Sequence, residues 1–225
     1  MANNKSKLAE AAIVGATGLA AYTYLIRPWH LRWGATDEEV KMALPGDELT
    51  QQPKLNATHA ITIHAPVSDV WPWLAQIGQR QGGFYSYTWL ENLVGCRMQN
   101  AEQIVPEWQN PQVGDEVWLH PKAPPLKVLA IEPGRFIVLE KTWTLFLRSL
   151  DEQTTRLIIR GRGDYLPDWK NAALNLLFWR GLFEPAHFVM ERKMMLGIKQ
   201  RAEAIFRQRQ MTAGEQRISA LARLS

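Results

Sequence analysis

The chain has 225 residues, 46% of them hydrophobic, and a formal net charge of +4, which is normal for a globular protein of one large domain or two small ones. Its single cysteine, Cys96, excludes an intrachain disulfide and leaves the redox compartment open. Ten tryptophans is a high number for this length, and so many large rings point to a deep core, a lined cavity or a membrane interface.

The first 33 residues read as an anchor-like helix with its flanks. Leu8 to Ile26 carries one charge, Glu10, and approaches the ~20 residues that span a bilayer. Lys5 and Lys7 flank one end; Arg27, Trp29, Arg32 and Trp33 flank the other like an interfacial belt. Ala12, Ala16 and Ala20 form a stripe that permits close helix approach. The reading is a single transmembrane helix and a membrane-associated protein, with the side of the membrane undetermined because both flanks are basic. A cleaved signal peptide and an Ala-rich soluble helix are the alternatives.

Residues 34–56 read as a linker with one short helix, opened by the capping-box pair Thr36 and Glu39 and stopped before Pro45-Gly46. A strand follows at His59 to Ile63, then a helix over Val67 to Ile77 with Pro72 inside it. After Gly82-Gly83, Thr88 and Glu91 repeat the capping-box spacing and open a second short helix that Gly95 closes.

The middle of the chain turns to strands at Val113 to His120, Leu126 to Ile131, Phe136 to Glu140, Trp143 to Leu150 and Thr155 to Tyr165, with a further candidate at Gln99 to Val105. Their short connections imply antiparallel neighbours. Alternation groups Trp143, Leu145 and Leu147 on one face and Thr155, Leu157 and Ile159 likewise, leaving Arg156, Arg160 and Arg162 most simply in solvent. Trp169 to Phe183 is an aromatic helical segment broken at Gly181. Pro185 to Arg209 is a long amphipathic helix with His187, Phe188, Met194, Met195, Ile198, Ala202, Ile205 and Phe206 on one side. Residues 210–225 form a tail. From Ala186 onward basic residues outnumber acidic ones, but no common nucleic-acid reading motif accompanies them, so a solvated helix face is the simpler reading and no nucleic-acid partner is expected.

This order, a strand, two short helices, an antiparallel meander and one long helix, resembles the helix-grip fold of the START-like, or SRPBCC, superfamily of polyketide cyclases, dehydrases and lipid-transfer proteins. The resemblance covers residues 57–209 and is carried by ITIHAPVSDVWPWLAQIG, GGFYSYTWLENLVG, PQVGDEVWL and LAIEPGRFIVLE. It implies an α+β fold in which a curved antiparallel sheet wraps around the C-terminal helix and leaves a cavity between them. It further implies a hydrophobic small molecule or lipid-like ligand, bound and in some members transported, with no cofactor; a cyclase or dehydrase activity and a filled, partner-binding core are the alternatives.

Within that frame the candidate ligand-binding residues are Tyr85, Tyr87, Trp89, Trp118, Trp143, His187, Glu191, Met194 and Met195. His187 and Glu191 are the candidate catalytic pair, because a spacing of four lets an imidazole and a carboxylate meet on one helix face. The same spacing serves equally well for a structural pair tied to Arg or Tyr side chains of the sheet. Two ligands with no third partner do not make a metal site. No nucleophile elbow, P-loop or dinucleotide glycine fingerprint is present, which argues against hydrolase, kinase and dehydrogenase readings.

Overall fold

The alternating, β-branched segments pair into one six-stranded antiparallel sheet of order β1-β6-β5-β4-β3-β2 in the computed structural model, which describes residues 2–164 and 171–222. Its strands are β1 (Leu55–Ile63), β2 (Glu116–Val117), β3 (Leu126–Glu132), β4 (Phe136–Leu139), β5 (Trp143–Asp151) and β6 (Thr154–Gly163). Helices α1 (Ala2–Ala21), α2 (Arg27–Leu31) and α3 (Asp37–Lys41) precede the sheet, α4 (Val67–Ala75) and α5 (Thr88–Leu93) fall between β1 and β2, and α6 (Ala172–Leu176) and the 39-residue α7 (Glu184–Ala222) follow it. The fold is α+β, a curved sheet wrapped around a long C-terminal helix in the helix-grip manner.

Strand alternation sends Ile63, Leu145, Leu147, Leu157 and Ile159 toward α7, where they pack with Met194, Met195, Ile198 and Ala202 and with Val70, Trp73 and Leu74 of α4. Helix α7 packs closely on the loop before α5 because Gly197 has no side chain: a Cβ there would lie 2.4 Å from the Tyr85 carbonyl oxygen.

The other face of the sheet is covered, which corrects the solvent placement of its arginines. Ala60, Phe146 and Ile158 pack under Leu44, Met42 and Ala35. Arg160 is only 4% exposed and bonds Asp47 and the Glu39 and Met42 carbonyls at 2.5–2.7 Å. Arg156 grips both Glu39 oxygens at 2.8 Å. Glu39 also caps α3 in a complete capping box with Thr36, so segment 34–49 is packed onto the domain.

Several boundaries differ from the sequence expectation. β2 spans two residues because the Trp118 carbonyl turns away to accept from Gln79 N at 2.8 Å. No strand forms at 99–105: Ala101 N bonds the Gly82 carbonyl of a loop, the Gln76 side chain bonds Val105 N and Gln103 O, and the Asn100 side chain turns to Tyr85 N and Ser86 O. The chain is not broken at Gly181 but runs through wide π-helical turns at Leu177–Phe183 into α7. Thr88 is not a cap; Tyr87 occupies that position without a side-chain bond. Tyr165 and Trp169 lie outside the described residues.

The membrane-anchor reading is overturned. Among the described residues no helix is long and apolar enough to cross a membrane, because Ala, Gly and Thr, modest on insertion scales, make up much of the Leu8–Ile26 run. The expected interfacial belt packs on protein instead. Arg27 makes a two-bond ion pair with Glu184 at 2.8 and 2.9 Å, Tyr22 donates to the Arg180 carbonyl, and Trp29 and Trp33 meet Phe188 edge-on. Of the alanine stripe, the side chains at 12 and 16 lie outside the described ones and Ala20 is exposed.

Replacing Gly197 tests the close approach of α7. Alanine is the better helix former by about 1 kcal/mol, yet overpacking against the Tyr85 backbone outweighs that, and Gly197→Ala is expected to lose about 1–3 kcal/mol in urea unfolding.

Candidate functional site

Between the sheet and the first half of α7 lies a cavity of about 390 Å³. Its walls are mostly apolar: Phe84, Met98, Leu119, Leu126, Trp143, Trp179, Phe183, Met190 and Met194. The polar residues that line it are Ser86, Glu91, Thr142, Arg162, Asp164, His187 and Glu191. Gly161 of β6 helps create the space, since it is buried yet a Cβ built on it has no heavy atom within 4 Å. The π-helical turns contribute Trp179 and Phe183, whose rings meet at 4.6 Å and close one end.

Glu191 is buried at the cavity floor and bound on both oxygens. Oε1 faces His59 Nδ1 of β1, and Oε2 accepts from the Trp143 indole N–H of β5 at 2.8 Å. The other His59 nitrogen donates to the His30 carbonyl at 2.7 Å. With an acceptor at each nitrogen, His59 carries both protons and a positive charge. Burial opposes that charge, but the Glu191 carboxylate and the hydrogen bonds outweigh it and hold the His59 pKa above its ordinary value. Burial likewise pushes the Glu191 carboxyl up, and His59, with smaller help from His187 and Trp143, brings it below the usual carboxylate range.

His187 stands at the cavity with Nε2 3.8 Å from Glu191 Oε2, beyond hydrogen-bond reach, and its ring stacks on Phe183. Glu91 enters from α5. It is 8% exposed, its Oε2 is buried without a hydrogen-bond partner among the described residues, and burial raises its pKa to about 7.

Of the residues singled out in the sequence, Trp143, His187, Glu191 and Met194 line the cavity. Tyr85 lies outside it, buried with its hydroxyl donating to the Trp73 carbonyl at 3.1 Å. Tyr87 sits at the start of α5 under the Lys193 ammonium, Trp89 is 68% exposed, Trp118 lies beneath the Arg80 guanidinium, and Met195 belongs to the core. Sequence reasoning passed over Phe84, Ser86, Met98 and Met190. It also missed His59, although alternation with Ile61 and Ile63 placed it on the inward face. The spacing of Glu91 from Thr88 reads as a cap, which α5 does not form. Among the described residues no group of three His, Cys, Asp or Glu is placed to hold a metal ion.

No family model and no curated protein matches the chain. Among solved structures it is similar to a Polyketide_cyc-like protein of Corynebacterium glutamicum, determined by NMR in solution, with 15% identity over 70% of this chain and 93% of that one and a TM-score of 0.29. A likeness of that size carries no weight for function.

Two outcomes follow from the buried charges. His59→Leu strands the Glu191 carboxylate and is expected to cost about 3–5 kcal/mol in chemical denaturation, part of which the double variant His59→Leu/Glu191→Met recovers. The Glu91 carboxyl has an ordinary value of 4.5 and titrates at about 7 in the folded chain, so folding favours its protonated form and stability falls as pH rises from the first value through the second. Glu91→Gln is therefore expected to melt higher than the unmodified chain above neutral pH, with the difference fading near pH 4.5.

Proposed function

We propose that this protein binds an apolar small molecule in the cavity between the sheet and the first half of α7. The observation that carries the reading is the cavity itself, about 390 Å³ walled by aromatic and methionine side chains with few polar groups, which is the general composition of small-molecule sites. Methionine walls adapt their shape at little cost, suiting a ligand defined by apolarity more than by a fixed outline. A partner-binding domain with a filled core has no use for such a space.

Proton-transfer chemistry is the second reading, favoured by one observation: His187 is the polar side chain on the cavity side of Glu191 and is partly accessible. Against a paired acid–base role, both Glu191 oxygens are already taken by His59 and Trp143. Binding is thus the stronger reading and His187 the group to vary: under the catalytic alternative His187→Ala abolishes turnover and leaves ligand affinity intact.

The direct test fills the cavity from the sheet. The Cβ of Gly161→Leu meets no heavy atom within 4 Å and the cavity has room beyond it, so the variant is expected to keep its melting temperature. Binding of naphthylethanol, followed by its fluorescence, should weaken about tenfold or more, since a ligand and a buried leucine cannot share the site. Unchanged binding in a folded Gly161→Leu protein would place the ligand elsewhere.

A further inference from the structure

We infer that the cavity selects a molecule carrying a protonated amine on an apolar, ring-containing body, with the Glu91 carboxylate as its anchor. The inference rests on the cavity-binding reading above and names the ligand class for that site.

The first observation is the carboxyl itself. Glu91 is more than nine-tenths buried, it lines the cavity, and its Oε2 has no hydrogen-bond partner among the described residues. Leaving a buried polar group unpaired costs about 1–3 kcal/mol, and nothing in the fold is repaid by it. The usual device of a cap is absent, because α5 begins at Thr88 with no side-chain bond. An acid held this way is complete only when a ligand supplies the partner.

The second observation is that, among the described residues, no cation of the wall is bonded to Glu91. Arg162 bonds Asp47 through Nη1, at 2.9 Å to the main-chain oxygen and 3.1 Å to Oδ1, and its Nε is without a partner among the described residues. The His59 charge is matched by Glu191. Ser86 donates its hydroxyl to the Met190 carbonyl at 2.9 Å. Asp164 at the exposed rim adds a further negative group. The unpartnered Glu91 carboxyl therefore calls for a cation from outside.

The third observation is the aromatic lining. Phe84 and Trp143 stand 6.1 Å apart, and Trp179 packs on Phe183. Ring faces attract an ammonium and reject a carboxylate, by about 0.5–2 kcal/mol each depending on desolvation. Carboxylate, ring faces and an apolar volume together recognise an aryl-alkyl amine and discriminate against the matching alcohol and acid.

Proton balance gives the binding a signature. Near neutrality the Glu91 carboxyl is part protonated; an ammonium favours the ionised form, so the O–H bond breaks and the proton leaves to solvent as the ion pair forms. Affinity for the amine therefore rises as pH rises through about 7, while the amine, like lysine's, stays protonated to about pH 10. Among the described residues the other titratable and charged groups facing this region are Cys96 beyond α5, His120 before β3, Arg162 and Asp164 at the end of β6, and His187 and Glu191 of α7, so the pH effect of Glu91 is the difference between the unmodified chain and Glu91→Gln.

The experiment is isothermal titration calorimetry of the full chain with naphthylethylamine, naphthylethanol and naphthylacetic acid, at about pH 6 and about pH 8.5, in two buffers of different ionisation enthalpy. The amine is expected to bind about tenfold more tightly than the alcohol at the higher pH, with proton release at the lower pH for the amine alone. Glu91→Gln is expected to erase that preference and the proton release. Equal affinity for amine and alcohol, tighter binding of the acid, or an amine preference that survives in Glu91→Gln would overturn the anchor while the cavity reading stands on the alcohol. Absence of binding by all three probes would overturn both.

Discussion

The constraint on which the rest of this structure depends is the burial of one charge, the Glu191 carboxylate. A carboxylate removed from water survives only where hydrogen bonds and an opposite charge replace its solvation. Three elements far apart in sequence provide that replacement: β1 through His59, β5 through Trp143 and α7 through Glu191 itself. Because His59 also bonds the His30 carbonyl, the N-terminal segment is held to the same point. One polar knot thus sets how the first half of α7 lies over the sheet, and packed aliphatic side chains do the same for the second half.

The cavity is the consequence of that division. Toward Ile198 and Ala202 the helix is in full apolar contact with the sheet. Toward His187 the helix and sheet are held apart by the polar groups between them, and side chains that would fill the gap are missing where Gly161 stands in β6. The π-helical turns before α7 add a residue to each turn and bring Trp179 and Phe183 to the rim. Apolar walls and a satisfied polar floor leave Glu91 as the acid in the cavity without a partner among the described residues, which is why it, and not the Glu191 pair, is the group with chemistry to offer.

On the far side of the sheet the same physics has a different result. Glu39 and Asp47 meet Arg156 and Arg160 under a cover of residues 34–49. Each guanidinium there is bonded by carboxylate or main-chain oxygens, so the charges are matched and the face is closed. Two buried ionic clusters back to back across one sheet give the domain a sealed face and an open one.

How much of this was legible in the sequence follows from the range of the forces involved. Local periodicity and turn chemistry determined the element order, the antiparallel meander, the capping box at Thr36 and Glu39, and the long final helix, because these depend on neighbours a few residues apart. The i, i+4 pair on α7 could be found for the same reason. Its partner could not, since His59 is 132 residues away and only strand register brings it to Glu191. The spacing of Thr88 and Glu91 suggested a cap that α5 does not form, and the packing of α5 buries that carboxyl at the cavity. The apolar run at Leu8–Ile26 suggested a span, whereas its end docks by Arg27 on Glu184. The sequence by itself determined which elements form; the tertiary structure alone decided which charges are paired and which one faces the cavity, because desolvation is a property of the whole fold and of no single segment.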